Sequence, residues 1–413
     1  MAIVVQKYGG SSVADVTRMK QVAERVMRTR RQGHDVVVVV SAMGDTTDDL
    51  LALAKQVSPN PDRRELDMLL TAGERISMAL LSMANRELGG EAISFTGSQS
   101  GIITNDRHVD ARIIEVRPYR VQDELARGKI VVIAGYQGVS YRREITTLGR
   151  GGSDTTAVAM AAALGAEYCE ICSDVDGVYT ADPRVVGNAK RIPTLSYEET
   201  QELAESGAKV LNAQAVEFAK EKGIAIYARA TGSPLPGANP SEDGTVVQHS
   251  SAAAALGTPL RRDAVRPAGA VVGVASERDV LVLHATDAAD NVLALLDEFA
   301  VAGKQLHRLG DSFTVVISRE NLHEEDRLRA ELSKRFGDRV RLVDTLGAVS
   351  VIGAGINASF QNLRRGSEAL AAAGIVAEHV ATSSFRITWM IDRTRLDEAV
   401  KLLHGRFIEN GSG

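Results

Sequence analysis

The sequence predicts an α/β protein: a mostly parallel sheet between helical layers, followed by two small ferredoxin-like α+β modules. Three observations carry this. Apolar runs of strand length alternate with amphipathic helical segments from the start to about Val247, as in sheets whose crossovers are helices. Val36 to Val40 is unbroken valine, the pattern of a strand covered on both faces. Beyond Ala270 the pattern changes to two blocks of strand, helix and strand, a repeat of about seventy residues.

At 413 residues the chain exceeds one ordinary core. Its 44% hydrophobic and 24% charged residues are those of a globular protein, and a net charge of −5 excludes the basic footprint of a nucleic-acid binder. The chain starts directly into Ile3-Val4-Val5 without a basic, then apolar, leader. Its longest apolar runs fall short of a membrane span, so a cytoplasmic protein with no membrane partner is expected.

Strands are expected at residues 3–7, 35–40, 91–96, 130–134, 167–173 and 224–228. Val13, Val16, Met19, Val22 and Val26 mark one helical stripe, closed by Gly33. Ser196 and Glu199 make a capping-box pattern that opens another helix. Residues 231–266, rich in Pro, Gly, Ser and Asn, read as a linker. The expected divisions are a catalytic domain at 1–248, a linker at 249–269 and modules at 270–344 and 345–413. The modules open with strands at 271–274 and 349–352, continue with helices at 290–300 and 362–372, and return as strands at 313–317 and 385–390.

Several segments carry chemistry. The first strand runs into Lys7-Tyr8-Gly9-Gly10-Ser11-Ser12, directly before a helix. Paired glycines there let backbone N–H groups approach an anion, and Lys7 adds a full positive charge. The plain alternative is a turn with a helix cap at Ser11 or Ser12. The second strand ends in Ser41-Ala42-Met43-Gly44-Asp45-Thr46-Thr47, small hydroxyl residues where open α/β sheets bind ligands, although turns favour the same residues. Glu74, in what reads as the opening turn of a helix, either holds a substrate ammonium or complements the helix dipole. Residues 147–156, Thr-Leu-Gly-Arg-Gly-Gly-Ser-Asp-Thr-Thr, are the most informative. They offer an anion-binding helix start at Gly151, Gly152 and Ser153, an Arg150 fork for a carboxylate, and Asp154 to orient Lys7 or metal-bound phosphates.

Residues 173–184 carry Asp174, Tyr179, Asp182 and Arg184 without the spacing of a calcium loop. They read as a nucleotide-binding hairpin in which Tyr179 packs and Arg184 contacts phosphate. Cys169 and Cys172 have metal-pair spacing, but no second pair or histidine cluster completes a site, so they are expected to be structural thiols.

Taken together and in order, KYGGSS, VSAMGDTTD, LLTAGERIS, FTGSQSGI, TTLGRGGSDTTAVA, SDVDGVYTADPR and GAKVL resemble the aspartokinase family of the amino-acid kinase superfamily. The resemblance implies the amino-acid kinase fold and transfer of the γ-phosphate of ATP, carried as its Mg²⁺ complex, to L-aspartate in amino-acid biosynthesis. It implies that Lys7 bridges the β- and γ-phosphates, lined by Gly9, Gly10 and Ser11, and that Asp154 orients Lys7. Ser41, Thr47, Glu74, Arg150, Gly151, Gly152 and Ser153 match the aspartate set. Asp174, Tyr179, Asp182, Arg184 and Lys209 match the nucleotide set. No metal-ligating protein cluster is implied.

The C-terminal half resembles the family's paired ACT regulatory domains, which implies a homodimer through them. It departs from them where the usual Pro-Gly turns give way to Asp287-Ala-Ala-Asp290 and Ala358-Ser-Phe-Gln361. The Asn-Ile and Gln-Asn pairs that the family uses for an amino-acid effector are absent, which implies altered or weakened feedback control. In the kinase half, Asn212-Ala213-Gln214 replaces a frequent His-Pro-Arg. The competing readings are a related kinase for an aspartate analogue and a catalytically silent amino-acid sensor.

Overall fold

The computed structural model describes residues 1–149, 151–208, 211–237, 239–249, 267–320, 322 and 324–409. The chain divides into two compact units. One comprises Met1–Tyr179, Arg191–Ala204 and Lys209–Val265; the other comprises Thr180–Lys190, Glu205–Ala208 and Arg266–Gly413.

The first unit contains strands β1 (Ile3–Tyr8), β2 (Asp35–Val40), β3 (Ala92–Phe95), β4 (Ile102–Thr104), β5 (Ile113–Val116), β6 (Ile130–Ala134), β7 (Gln137–Ser140), β8 (Ile145–Thr147), β9 (Tyr168–Ser173), β10 (Thr194–Leu195), β11 (Ala225–Ala230) and β12 (Gly244–Val247). Its helices are α1 (Val16–Arg31), α2 (Thr46–Val57), α3 (Arg63–Glu87), α4 (Tyr119–Ala126), α5 (Gly152–Leu164), α6 (Tyr197–Glu205, whose last residue falls in the second unit) and α7 (Ala213–Lys222). The main sheet has the order β10-β12-β11-β9-β1-β2-β6-β3, and β4, β5, β7 and β8 form a smaller one.

Local patterning explains most of this. Val36, Val38 and Val40 pack with Met19, Val22, Val26 and Leu81, while Val37 and Val39 are equally buried on the other face. A strand dry on both sides must pair on both edges, and β2 does, in parallel with β1 and β6. Gly33 follows α1 at φ +93°. The capping box forms: Ser196 N–H donates to Glu199 Oε2 at 3.0 Å, and Glu199 N–H to Ser196 Oγ at 3.1 Å. Of residues 231–266, read as a linker, Gly244–Val247 instead form β12, which is wholly buried and pairs with both β11 and β10; residues 250–266, most of the linker drawn at 249–269, lie outside the described residues.

The sheet also buries charge. Glu170 on β9 is fully buried; its carboxylate takes Arg25 Nη2 at 2.5 Å and Gln6 Nε2 at 2.8 Å, with Arg229 Nε at 3.5 Å. Arg25 also donates to the carbonyls of Ser233 and Pro234, and Arg229 to that of Pro234, so this cluster anchors the loop after β11. Glu170→Ala strands two buried guanidinium groups and is expected to cost about 3–5 kcal/mol of stability, read from the midpoint of urea unfolding.

In the second unit, β14 (Val280–Thr286), α8 (Ala289–Glu298), β15 (Gly303–Leu309), β16 (Ser312–Ser318), α9 (Glu325–Phe336) and β17 (Val340–Val343) follow β13 (Gly273–Glu277). They form a sheet of order β15-β16-β14-β17, the ferredoxin-like arrangement expected. Next come β18 (Leu346–Ile352), α10 (Gln361–Ala372), β19 (Ala377–Thr382), β20 (Arg386–Asp392) and α11 (Leu396–His404). Their sheet has the order β13-β18-β20-β19. The strand expected to open the first module therefore completes the second, taking the edge where a fourth strand would lie. Alternation along β14 accounts for the seam between the sheets. Leu281, Leu283 and Ala285 face α8 and α9, whereas Val280 and Val282 pack with Leu346, Ala348 and Met390.

Candidate active site

Parallel pairing levels the carboxyl ends of the central strands. Tyr8 is in register with Val40 on one side and Cys172 on the other, Val40 with Ala134, and Ser173 with Ala230. The chain leaves these ends at Gly9, Ser41, Gly135, Asp174 and Thr231, so those loops share one rim of the sheet. That rim is where open α/β sheets bind ligands.

Lys7 reaches from β1 to the first turn of α5, where its Nζ lies 2.6 Å from Asp154 Oδ1; the side chains are 12% and 11% exposed. Gly10 lets the first two loops meet, because a Cβ there would stand 2.9 Å from the carbonyl oxygens of Ala42 and Gly44. The expected cap at Ser11 or Ser12 does not form. Gly10–Val13 is a single 3₁₀ turn, and Asp15 caps α1 by accepting the Arg18 N–H at 2.9 Å. Ser12 is instead buried, its hydroxyl 2.6 Å from that of Thr231, which also donates to the Ser173 carbonyl at 3.0 Å. Thr231 thus ties together the ends of β1, β9 and β11. Sequence reasoning missed it; the one available signal was its place just beyond a strand.

The helix carrying Glu74 starts at Arg63 rather than near Thr71, with Asp62 accepting the N–H groups of Arg64 and Glu65. Glu74 lies well inside that helix, so the helix-dipole reading falls. At Gly73 a Cβ would stand 2.7 Å from Ala42 Cβ; glycine permits α3 to approach until Glu74 Oε1 accepts the Ala42 N–H at 3.2 Å. Among the described residues Glu74 Oε2 has no hydrogen-bond partner, and burial pushes the carboxyl up to about 7. A buried carboxylate with one unanswered oxygen at a ligand rim is suited to a cation.

Ser153 stands beside Gly135, where a Cβ would lie 2.7 Å from the serine Oγ. Ser41, half-buried, bonds through its N–H to the Tyr8 carbonyl at 3.1 Å, and Thr47 sits in the first turn of α2. Lys7, Gly9, Gly10, Ser11, Ser41, Gly152, Ser153, Asp154 and Asp174 therefore all border this rim. Tyr179 donates to Asp176 Oδ1 at 2.7 Å. Asp182 and Arg184 pair with each other at 2.7 Å and belong to the second unit. Arg150 and Lys209 lie outside the described residues. Both cysteines are buried free thiols, pushed upward by that burial.

The arrangement joins a cation, a glycine turn and a helix start, suited to phosphate, with a buried carboxylate suited to an ammonium group. The model of the amino acid kinase family matches residues 2–228. The aspartokinase of Mycolicibacterium smegmatis is 47% identical, covering 98% of this chain and 96% of that protein. The chain belongs to the aspartokinase family. The family member from Thermus thermophilus is 39% identical, covering 98% of the chain and 99% of that protein. Among solved structures, E. coli aspartokinase III in complex with aspartate and ADP has the same fold, with a TM-score of 0.82 and 23% identity over 98% of this chain and 99% of that one. Aspartate kinase from Synechocystis is 34% identical at a TM-score of 0.54, covering 98% of this chain and 69% of that one. Among the described residues of this aspartokinase family member, no helix is long and apolar enough to cross a membrane.

Proposed function

We propose that the chain is a cytoplasmic aspartate kinase, transferring the γ-phosphate of ATP to the β-carboxylate of L-aspartate to give 4-phospho-L-aspartate and ADP. The observation that carries this is the pairing, on one rim, of the Lys7–Asp154 couple with the buried carboxylate of Glu74, one oxygen of which has no partner among the described residues. Lys7, with Gly9, Gly10 and Ser11, holds the β- and γ-phosphates, and Asp154 fixes the lysine. Glu74 takes the substrate ammonium and Arg150 its α-carboxylate, with Ser41, Thr47, Gly151, Gly152 and Ser153 lining the rest. Asp174, Tyr179, Asp182, Arg184 and Lys209 serve the nucleotide.

The chemistry needs no general base, because the attacking carboxylate is ionised at neutral pH. One of its oxygens bonds to Pγ as the bond from Pγ to the β,γ-bridging oxygen breaks and ADP departs. What the protein must supply is screening between two anions and in-line positioning. Mg²⁺ carried on the phosphates would neutralise part of their charge. Such an ion would keep several waters and be carried by the phosphates, since Asp154 is engaged by Lys7 Nζ at 2.6 Å. Trapping the acyl phosphate with hydroxylamine tests the reading across a panel of carboxylates. ATP-dependent hydroxamate is expected with aspartate; none with any acid removes the kinase reading, and preference for another acid moves the substrate.

Altered feedback belongs to the same proposal. Where the family has Pro-Gly turns, Asp287 adopts φ +54° ahead of α8, whose Ala288 cap offers no side-chain bond, and Phe360 before α10 is exposed. Lysine and threonine, singly and together, are expected to leave activity largely intact. Strong inhibition at sub-millimolar concentration would defeat this. A homodimer through the second unit is supported by β15, an edge strand with Leu306 and Leu309 exposed; light scattering at assay concentration tests it.

A further inference from the structure

Asn212 caps α7: its Oδ1 accepts the N–H groups of Gln214 at 2.9 Å and Ala215 at 3.3 Å. The same oxygen takes the hydroxyl of Thr155, 3.2 Å away on α5. Backbone N–H groups only donate, which fixes the orientation of the amide. Nδ2 is therefore the atom turned toward Gly151, where a Cβ would stand 2.4 Å from it. Gly151 holds φ +72°, and its carbonyl takes the N–H groups of Asp154 at 3.0 Å and Thr155 at 3.2 Å. One side chain thus joins the heads of two helices, and the head of α5 carries the partner of Lys7. A helix cap needs only an oxygen acceptor; the nitrogen, packed on a left-handed turn, goes beyond capping.

We propose that Asn212 is a positioning residue for phosphoryl transfer, its amide filling the space beside Gly151 and so fixing the turn that aims Ser153 and Asp154. This rests on the kinase reading above. Without the amide the turn gains room to shift, Asp154 no longer holds Lys7 in one place, and a displacement well under the length of a bond is costly for an in-line transfer.

Asn212→Ser and Asn212→Asp, made in the full chain, separate the two roles, because serine and aspartate cap helices about as well as asparagine. Thermal midpoint, kcat and the KM for each substrate are measured in the hydroxamate assay. N212S is expected to keep the midpoint and the aspartate KM while kcat falls about tenfold. N212D, which sets a negative charge beside the phosphate turn, is expected to lose more and to raise the KM for ATP. Wild-type kcat in N212S at an unchanged midpoint would overturn the inference, leaving Asn212 a cap alone. Should N212S melt early, the nearly isosteric N212D decides: wild-type kinetics there overturn the inference, and a loss at an unchanged midpoint upholds it. Hydroxamate from the unaltered chain is the control. Its absence removes the kinase reading, whereas its presence alongside unimpaired variants removes only the role of Asn212.

Discussion

Lys7→Met is expected to lower kcat by about two to three orders of magnitude, the loss seen when one preorganised contact to developing charge is removed. Two anions meet in the transfer, and Lys7 is a full positive charge held in a largely dry setting by Asp154. Methionine keeps the bulk of the stem and deletes only the charge. The deletion acts twice, since it also leaves Asp154 uncompensated close to the phosphates. Adding Asp154→Asn to the lysine variant should therefore cost nothing further and should recover part of the nucleotide affinity. Asp154→Asn alone, with the lysine still present but less firmly held, is expected to lose about tenfold. The cycle of single and double variants, read as hydroxamate formed per enzyme, checks all three statements. Unchanged kcat in Lys7→Met would remove the residue from the chemistry.

Glu74→Gln is expected to raise the aspartate KM about a hundredfold, with a smaller effect on the KM for ATP, since it deletes one charge-assisted hydrogen bond. Burial holds the carboxyl near 7, so it carries its charge above that pH and loses it below. The aspartate KM of the unaltered chain should therefore climb as pH falls through 7, while that of the glutamine variant stays flat across the same window. Stability runs the other way. A carboxyl raised from 4.5 to about 7 by folding binds its proton more tightly in the folded state. Its contribution is full below the unfolded value and is lost as pH rises through the folded one, on the order of 3 kcal/mol for such a buried group. Glu74→Gln should thus be more stable than the unaltered chain at pH 8 and similar to it at pH 4.5. Saturating aspartate should narrow the difference at pH 8. Urea titrations at both pH values, with and without aspartate, read all of this.

Some features of the molecule follow from neighbouring residues alone. Five consecutive valines make β2 a doubly covered strand, the stripe from Met19 to Val26 makes one face of α1, and Ser196 with Glu199 closes its own cap. Lys7 with its glycines, and Gly151 to Asp154, were legible for the same reason: each sits at a strand-to-helix junction, and such junctions face the ligand rim. Other features depend on what the chain meets after long separation. Asp62 caps the start of α3, whereas the place of Glu74 depends on the approach of Gly73 to Ala42, which no periodicity encodes. Residues 273–277 have the pattern of any β-branched strand, and a period of two names a buried face but not the partner. Their edge in the sheet of β18 was decided by pairing across more than seventy residues. Thr231 and Asn212 belong to no periodic pattern that names their distant partners, Ser12 and Thr155. The sequence by itself determined the fold class, the rim and the charged residues gathered on it. Tertiary structure decided which polar side chains hold those residues still, because a hydrogen bond between distant segments depends on packing distances that local composition does not set.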